Sequence, residues 1–528
     1  MPIITDQIKA GLEEDNQSII EKGLRQLGSY RKNVVTCGIH KISLDARKRN
    51  DIHYVCSVCA GLNDSQLEKK LCEKNKKLRY VAPAEFTPVI SDNKAEGRVV
   101  VAGFGPAGMF CALALAEQGY APLVLERGEC IQKRTERVSS FWAGGELNEN
   151  SNVQFGEGGA GTFSDGKLTT RINDPLCRYV LERFVSFGAP EEILTKAKPH
   201  IGTDKLREVV KAIRERIISL GGEVRFETAL KDIRLENGSV SSVITSSGEE
   251  KTSALVLALG HSARDTFEML ASKGITMQAK AFSVGARIEH LQADVEKSLY
   301  GELAGSKLLP KGEYQLSRRN NGRGVYTFCM CPGGSVVASA SEAGGIVTNG
   351  MSEYARDGKN ANSALVVGVS PEDFGSNALD GVAFARSIER RAYEMTGGYK
   401  APATTVRGFL SSKPDLDSPV IPTYRPGIVP CDLSKLFPDF VTQMLKLGLE
   451  SFSHKMACFG DGNAILTAPE TRTSSPVRIT RNDAMTALGT LNLYPCGEGA
   501  GYAGGIMSAA VDGLRTALSI MSVIAPQK

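Results

Sequence analysis

Three glycines and one acidic residue have the types and spacing of a phosphate-binding turn. The glycines are Gly103, Gly105 and Gly108, and Glu126 follows 18 residues after the last of them. Gly103 suits a tight turn out of a strand, Gly105 leaves room for a pyrophosphate, and Gly108 lets a helix pack closely. A helix N-terminus offers free N–H groups and partial positive charge to a diphosphate. A carboxylate such as Glu126 accepts a hydrogen bond from a ribose hydroxyl.

The elements around these glycines are the ones that such a turn requires. Val99–Ala102 predicts a buried parallel strand, Met109–Gln118 a helix, and Ala121–Leu125 a second strand. A second match to the glycine pattern, at 156–161, is followed by TFSDG, which does not predict a helix. We therefore interpret only the first match as a dinucleotide-binding βαβ unit.

A glycine-rich region at 141–171 is a second candidate binding segment. Its backbone N–H groups can bind anions, and glycine lets a flat ring lie close to the backbone. Phe155 and Phe163 interrupt the glycines and indicate an ordered stretch. Asp165 and Lys167 near its end are candidates for proton transfer.

Two pairs of cysteines have spacings that suggest a redox or metal site. Cys56 and Cys59 fall in a predicted strand, where residues three apart point to opposite faces, so a structural role is favoured. Cys329 and Cys331 are two apart, so on a strand they share a face. Buried small side chains are the favoured interpretation of this second pair, and a thiol or vicinal disulfide site stays open. No set of metal ligands is predicted.

The N-terminal part predicts a small α+β unit with the order of a split βαβ motif. The predicted elements are a helix with apolar periodicity from Ile4 to Leu27, strands at Val34–Ile42 and Ile52–Val58, and a helix at Ser65–Lys76 capped by Ser65. A basic loop, Arg47 to Arg49, separates the two strands. A solvated turn is favoured there over a site for an anionic partner.

The chain divides into four segments. Residues 1–95 form the small domain, 96–275 begin the dinucleotide-binding domain, and 485–528 return to it with a glycine-rich turn and a helix. Residues 276–484 alternate short strands with turns, include a helix at Asp380–Thr396, and predict a mainly antiparallel substrate or capping domain. We therefore predict an α/β protein whose Rossmann-like domain is discontinuous.

Composition excludes some classes of protein. The 528 residues carry a net charge of +4, which does not by itself indicate nucleic-acid binding. Twelve cysteines without framework spacing indicate reduced thiols and a cytoplasmic protein. The N-terminus lacks a signal-peptide pattern, and no apolar run reaches about 18 residues, so no membrane span is expected.

Three motifs resemble those of flavoproteins of the glutathione-reductase-like superfamily, in the order which that superfamily uses. RVVVAGFGPAG…LER resembles its ADP-binding unit, LVLALGHSARDT its second FAD motif and CGEGAGYAGGI its third. The resemblance implies that the backbone of Leu230 holds the adenine and that the last glycine turn feeds a helix whose N-terminus faces the flavin ring. The cofactor-binding residues it implies are Gly103, Gly105, Pro106, Ala107, Gly108, Glu126, Arg127, Gly158, Gly159, Ala160, Gly161, Leu230, Gly260, Gly497, Glu498, Gly504, Gly505 and Ile506.

Further segments are similar to the bacterial and plastid family of uncharacterised FAD-dependent dehydrogenases, or NAD(FAD)-utilizing dehydrogenases. They are SLDARKR, FGEGGAGTFSDGKL, FCMCPGG, TNGMS and RTSSPVRI, and they span nearly the whole chain. The resemblance implies an FAD-dependent oxidoreductase that acts on a small-molecule substrate, without naming it. Only one βαβ fingerprint is complete, so no second NAD(P)H domain is expected. Transiently bound NAD(P)H, a protein donor and the substrate itself stay open as electron sources.

Other interpretations stay open at this stage. A flavin-dependent RNA-modifying protein would dock through the N-terminal domain and its basic loop, although the mild charge disfavours it. A non-catalytic scaffold would hold FAD for structure alone. A geranylgeranyl-reductase-like enzyme would carry an apolar tunnel in the 276–484 domain. The candidate catalytic residues near the flavin are Asp165, Lys167, Cys329 and Cys331.

Overall fold

The N-terminal residues form a four-stranded sheet with two helices. The structure, a computed structural model, describes residues 2–82 and 86–526. The first elements are β1 (Ile3–Ala10), α1 (Asn16–Leu24), β2 (Val34–Asp45), β3 (His53–Leu62), α2 (Ser65–Lys74) and β4 (Leu78–Tyr80), with a 3-10 segment at Arg25–Asn33. The strands lie in the order β2-β3-β1-β4, and neighbours are antiparallel. The predicted split βαβ unit is confirmed.

The helix predicted from Ile4 to Leu27 is wrong in its first half, which is strand β1. The register of β1 on β3 shifts between Thr5 and Ile8, and Gln7 has a φ of +62° there. This bulge lets Ile3 and Ile8, an odd number of residues apart, both pack against the α1 side of the sheet. The alternation that marks a strand is therefore broken in the sequence, and the apolar spacing imitates a helix.

The capping residue of α2 is Asp64 and not Ser65. The Asp64 carboxylate accepts hydrogen bonds from the backbone N–H groups of Gln66 and Leu67. Serine and aspartate both favour this position, but a carboxylate also complements the positive end of the helix dipole. The cap therefore lies one residue earlier than the sequence predicts.

Cys56 and Cys59 lie in β3, so the predicted strand is confirmed. Both side chains are buried, and Cys56 packs in a cluster with Ile8. The Cys59 thiol donates a hydrogen bond to the backbone oxygen of Gly38 on the neighbouring strand, at 3.3 Å. Burial raises the pKa of both thiols. These surroundings favour a structural role for the pair.

A mixed central sheet carries the predicted glycine turn. Its segment contains β5 (Arg98–Ala102), α3 (Pro106–Glu117), β6 (Leu123–Leu125), α4 (Ile131–Trp142), α5 (Leu176–Ser186), α6 (Thr203–Ser219), β7 (Glu223–Arg225), β8 (Leu230–Glu236), β9 (Ser239–Thr245), β10 (Gly248–Leu257) and α7 (Arg264–Ser272), with 3-10 turns at Ala160–Phe163 and Glu191–Leu194. Strands β7, β6, β5 and β10 are parallel neighbours in that order, and β10 continues into antiparallel β9 and β8. The predicted strand–helix–strand unit is confirmed, and the second glycine match leads only into a single 3-10 turn.

The next segment forms a mainly antiparallel sheet with helices packed on it, as predicted. It contains β11 (Met277–Ala279), β12 (Phe282–Leu291), α8 (Gln292–Tyr300), β13 (Ser317–Asn320), β14 (Arg323–Cys331), β15 (Ser335–Ala338), β16 (Thr348–Met351), β17 (Asn360–Val369), α9 (Pro371–Phe374), α10 (Asp380–Thr396), β18 (Ala401–Thr405), α11 (Val406–Ser411), β19 (Ile428–Pro430), α12 (Asp439–Ser453), β20 (Ile465–Glu470) and β21 (Val477–Ile479), with 3-10 turns at Gly301–Leu303, Leu433–Lys435 and Ala457–Phe459. The large sheet has the order β13-β14-β17-β12-β20-β18-β19, and only β18 and β19 pair in parallel. The predicted helix at Asp380–Thr396 is confirmed at both ends.

The C-terminal residues return to the central sheet. Strand β22 (Leu493–Pro495) pairs in parallel with β10, and α13 (Ile506–Val523) packs on α3. The two helices lie very close, because a Cβ on Gly513 would stand 2.1 Å from the carbonyl oxygen of Ala107. Within residues 2–82 and 86–526, α13 alone is long and apolar enough, by length and composition, to cross a membrane, and 67% of it is buried in the protein.

Candidate functional site

One large cavity lies between the carboxyl ends of the parallel strands and the antiparallel sheet. Its volume is about 1540 Å³, whereas pockets for small ligands are roughly 300–1,000 Å³. Ligands of open α/β sheets bind at this edge. Gly108, Gly158, Gly497 and Cys331 lie outside the lining. The residues singled out in the sequence that line it are Gly103, Gly105, Pro106, Ala107, Glu126, Arg127, Gly159, Ala160, Gly161, Asp165, Lys167, Leu230, Gly260, Cys329, Glu498, Gly504, Gly505 and Ile506.

Gly103 and Gly108 shape the turn between β5 and α3. Gly103 has a φ of +102°, and a Cβ atom there would stand 2.3 Å from the carbonyl oxygen of Ala258. A Cβ on Gly108 would stand 2.0 Å from the carbonyl oxygen of Gly103. Both positions therefore require glycine. Gly105 is the N-cap of α3 and offers no capping side chain, so the first N–H groups of the helix remain for a ligand at the cavity wall.

Glu126 joins three backbone segments at the rim of this turn. Its carboxylate accepts hydrogen bonds from the N–H groups of Phe104 at 2.8 Å, Gly128 at 3.0 Å and Gly156 at 2.9 Å. The side chain is 5% exposed. A carboxylate has about four acceptor positions, so one remains for a ligand hydroxyl. The predicted ribose contact is compatible with this structural role.

Arg134 orders the glycine-rich region, and sequence reasoning missed it. This arginine is fully buried and donates hydrogen bonds to the backbone oxygens of Asn152, Val153, Glu157 and Gly159. Four carbonyls on one guanidinium hold the loop against the glycine turn. The sequence did contain a signal for its burial. Arg134 has the helical spacing of the apolar residues of α4, so it falls on the buried face of that helix.

Glu498 lies in the glycine-rich turn ahead of α13. Its Oε1 lies 3.9 Å from Nε2 of His261, and its side chain is 25% exposed. Burial raises the pKa of Glu498 to about 7, against a smaller opposite effect of Lys280. Burial, followed by Arg472 and Arg264, lowers the pKa of His261 to about 3. The imidazole is therefore neutral at pH 7, whereas Glu498 changes charge there.

The Glu498→Gln variant is expected to gain stability over the wild type, by about 1–3 kcal/mol, as pH rises from 4.5 to about 7. The pKa of Glu498 is 4.5 in the unfolded chain and about 7 in the folded one. As pH rises between these values, Glu498 ionises in the unfolded chain but not in the folded one, so the wild type loses stability. Chemical unfolding at pH 5 and pH 8 measures the difference. The control is Glu182→Gln at an exposed pair with Arg178. A pH-independent difference for Glu498→Gln would contradict the expectation.

Asp165 makes ion pairs with two cations that line the same cavity. Its Oδ2 lies 2.5 Å from Nζ of Lys167, and its Oδ1 accepts from Nε of Arg356 at 2.9 Å. Burial alone would raise the pKa of Asp165, but Lys167 and Arg356 outweigh it and lower the pKa. Burial disfavours the charge of Lys167, but Asp165 outweighs it and raises that pKa. Asp165 therefore positions a Lys167 that stays charged. No sequence spacing pointed to Arg356.

The backbone around Cys329 departs from a regular strand. The register of β14 shifts between residues 328 and 331, and Cys329 has a φ of +44°. Two cations hold consecutive carbonyl oxygens at this bulge. Arg287 donates from Nη1 to Cys329 at 2.9 Å, and Lys167 donates to Met330. The alternation used in the sequence prediction does not apply here, and the Cys331 thiol donates to the backbone oxygen of Cys329 at 3.4 Å.

The two thiols have different surroundings. Cys329 lines the cavity, and Cys331 is fully buried. The hydrogen bond from Cys331 lowers the pKa of Cys329 to about 5, with further lowering by Lys167 and Arg287 against the effect of burial. The same hydrogen bond and burial raise the pKa of Cys331 well above its ordinary value. Cys329 therefore differs from an inert buried thiol.

Arg287 is a second arginine that sequence reasoning missed. It is fully buried in β12 and donates to Glu470 at 2.9 and 3.2 Å, Asn362 at 3.1 Å and Asn349 at 2.9 Å. These partners lie on β20, β17 and β16, so the Arg287 side chain connects the large antiparallel sheet to β16 at the cavity wall. The sequence did contain a signal for this residue, because Arg287 stands in the middle of the apolar strand FSVGARIEHL. A buried charge is normally paired, so a buried partner could have been expected.

Two comparisons with known sequences are consistent with each other. A family model described as FAD-dependent protein, C-terminal domain-like, matches residues 281–473. A protein of Clostridium beijerinckii (strain ATCC 51743 / NCIMB 8052), named only "Uncharacterized protein", is 46% identical over 529 residues and covers 99% of each chain. The match therefore extends from the N-terminal sheet to α13.

Two solved structures resemble the chain at low identity. Glycine oxidase from Bacillus cereus ATCC 14579 is 12% identical, with a TM-score of 0.35, over 82% of this chain and 99% of that one. NikD, an unusual amino acid oxidase essential for nikkomycin biosynthesis, is 15% identical, with a TM-score of 0.36, over 82% and 97% of the two chains. Neither likeness bears on the substrate of this chain.

Proposed function

Because the chain belongs to the family of FAD-dependent proteins that share this C-terminal domain, we propose that it transfers a hydride between a small-molecule substrate and non-covalently bound FAD. The observation that carries the proposal is the single cavity that joins the Gly103 turn to the Cys329 bulge. Its volume of about 1540 Å³ exceeds that of a pocket for one small ligand. The cavity therefore has room for FAD and a second molecule.

The residues at one end of the cavity fit the dinucleotide part of FAD. The uncapped N-terminus of α3 would bind the diphosphate through N–H groups and partial positive charge. A Cβ on Gly159 would stand 3.0 Å from the Cα of Gly105, so glycine at 159 lets the glycine-rich loop approach the turn closely beside the diphosphate site. Glu126 would accept a hydrogen bond from the ribose, and the backbone of Leu230 would hold the adenine.

The other end of the cavity supports the reacting groups. The flavin ring, when bound, supplies the hydride acceptor or donor. Lys167, held by Asp165, would keep a positive charge at the wall and orient an electron-rich substrate group. Glu498 would hold or release a proton at its carboxylate near pH 7. The N-terminus of α13, whose N-cap Gly505 has no side chain, would stabilise negative charge.

The alternative functions gain no support. In the basic loop, Arg47 donates from Nε to Asp45 at 2.9 Å, and Arg49 donates to the backbone oxygen of Ser298 at 2.5 Å. The loop is therefore partly engaged with the protein itself, which disfavours docking of RNA. Lys167 and other charged groups line the cavity next to the antiparallel sheet, unlike the apolar tunnel of a geranylgeranyl-reductase-like enzyme.

The purified protein is expected to show a flavin absorption spectrum and to bleach during anaerobic titration with a suitable donor. Bleaching by NADH or NADPH would identify a reductase fed by a pyridine nucleotide, and bleaching only by another reductant would point to the substrate or a protein donor. Absence of flavin binding after reconstitution with FAD would overturn the proposal.

The Gly105→Val variant is expected to fold but to bind FAD at least tenfold more weakly. A Cβ at Gly105 would meet only the Cα of Gly159, at 3.8 Å, so the fold tolerates it while the side chain enters the diphosphate space. Fluorescence titration with FAD measures the affinity, and circular dichroism checks the fold. Gly11→Val, at a position with nothing within 4 Å, is the matched control. Equal FAD affinity in both variants would contradict the assignment.

A further inference from the structure

A pair of thiols faces the cavity, and the proposed function gives it no role. Cys329 lines the cavity, and Cys331 lies behind it with no exposed surface. The Cys331 thiol donates a hydrogen bond to the backbone oxygen of Cys329, at 3.4 Å. Both residues are unbridged thiols. The Cys331 sulfur therefore lies against the residue whose thiol lines the cavity.

The surrounding backbone is built to hold this arrangement. Cys329 has a φ of +44°, a left-handed backbone conformation that residues other than glycine rarely adopt. Residues in such conformations cluster at functional sites. Arg287 and Lys167 hold the carbonyl oxygens of Cys329 and Met330 in this bulge. Cα atoms two residues apart are separated by at most about 7.2 Å in a fully extended chain. The bulge at Cys329 is not fully extended, so the separation falls in the range that a disulfide can bridge.

The charges around Cys329 favour a reactive thiol. Lys167 and Arg287 both lie close enough to stabilise negative charge on the Cys329 sulfur, and the thiolate is the form that attacks other sulfur atoms. Cys329 also affects the pKa of Glu498, in the turn that leads into α13. Cys329 and Glu498 line the same cavity, so the thiol and the turn that leads into α13 are exposed to the same bound ligand.

We propose that Cys329 and Cys331 form a redox-active dithiol–disulfide pair that exchanges two electrons with the bound flavin. The inference rests on the proposed function, because the flavin is the electron partner. In the oxidising direction, both S–H bonds break and one S–S bond forms. Two electrons and the Cys331 proton pass to the oxidised flavin, and the Cys329 proton leaves to solvent when that thiol ionises. Cys329 is the sulfur that an external thiol or disulfide reaches, and Cys331 completes the bridge.

The first test is chemical and independent of enzyme activity. Trypsin releases both residues in one peptide, 324–356, that contains no other cysteine. After mild oxidation of the holoprotein with diamide, unfolding in iodoacetamide and digestion, this peptide is expected to be lighter by two hydrogen atoms and not alkylated. Reduction with dithiothreitol should restore two alkylation sites. A peptide that stays alkylated at both cysteines after oxidation would overturn the proposal.

The second test counts electrons. Anaerobic titration of the oxidised holoprotein with dithionite is expected to consume about four electrons per chain, two for the flavin and two for the disulfide. The Cys331→Ser variant should consume about two. Cys431→Ser, whose thiol is outside the cavity lining, should match the wild type. Equal consumption by the wild type and Cys331→Ser would overturn the electron exchange. A chain that forms the disulfide but binds no FAD would overturn the proposed function and the exchange together.

Discussion

The Glu389→Ala variant is expected to lose about 3–5 kcal/mol of stability, because it removes the carboxylate that pairs with the buried Arg472 and one of the two that pair with the buried Arg264, which keeps Glu342. Glu389, on α10, is 1% exposed. Its carboxylate accepts two hydrogen bonds from Arg264, both at 2.8 Å, and two from Arg472, at 2.9 and 3.1 Å. Arg264 begins α7 and Arg472 follows β20, so one carboxylate joins the central sheet to the antiparallel sheet. Chemical unfolding at pH 7 measures the loss.

The same carboxylate predicts a pH dependence with a definite sign. Burial alone would raise the pKa of Glu389, but Arg264 and Arg472 outweigh it and lower the pKa from 4.5 to about 2. A depressed folded-state pKa means that the stabilisation is complete above about pH 4.5 and is lost as pH falls towards 2. The gap between wild type and Glu389→Ala should therefore shrink on acidification.

The control for Glu389 lies on the same helix. Glu394 is exposed near the end of α10, so Glu394→Ala should change stability by no more than about 0.5 kcal/mol. A loss of similar size in both variants would mean that the helix, and not the buried charge network, determines the effect.

The Glu126→Ala variant is expected to lose FAD binding by at least tenfold and stability by about 3 kcal/mol. Three buried N–H groups, of Phe104, Gly128 and Gly156, lose their acceptor, and each unsatisfied group costs about 1–3 kcal/mol. The ribose also loses its proposed partner. FAD fluorescence titration and chemical unfolding measure the two effects separately.

The Glu126→Gln variant separates these two contributions. An amide oxygen can still accept from Gly128 and Gly156, which share Oε1, whereas the amide nitrogen would face the N–H group of Phe104. Stability is expected to fall less than in Glu126→Ala, and FAD affinity is expected to fall in both variants. Unchanged FAD affinity in Glu126→Ala would show that the carboxylate has a structural role alone.

Much of the fold could be predicted because its signals are local. The strand before Gly103, the helix α3 that contains Gly108 and the helix at Asp380–Thr396 follow from apolar periodicity and glycine chemistry within a short window. The exception in β1 has a local cause too, since a one-residue bulge at Gln7 removes the alternation on which strand prediction depends.

The sequence by itself determined the glycine turn, the acid that follows it and the order of the elements that form the cavity. Only the tertiary structure decided which charges meet there. Asp165 pairs with Arg356 across 191 residues, and Arg287 pairs with Glu470 across 183. Ion pairs form between side chains that folding brings together, and their distance along the chain leaves no periodic signal. The bulge that turns Cys329 towards the cavity likewise depends on carbonyl contacts with Arg287 and Lys167 from other segments.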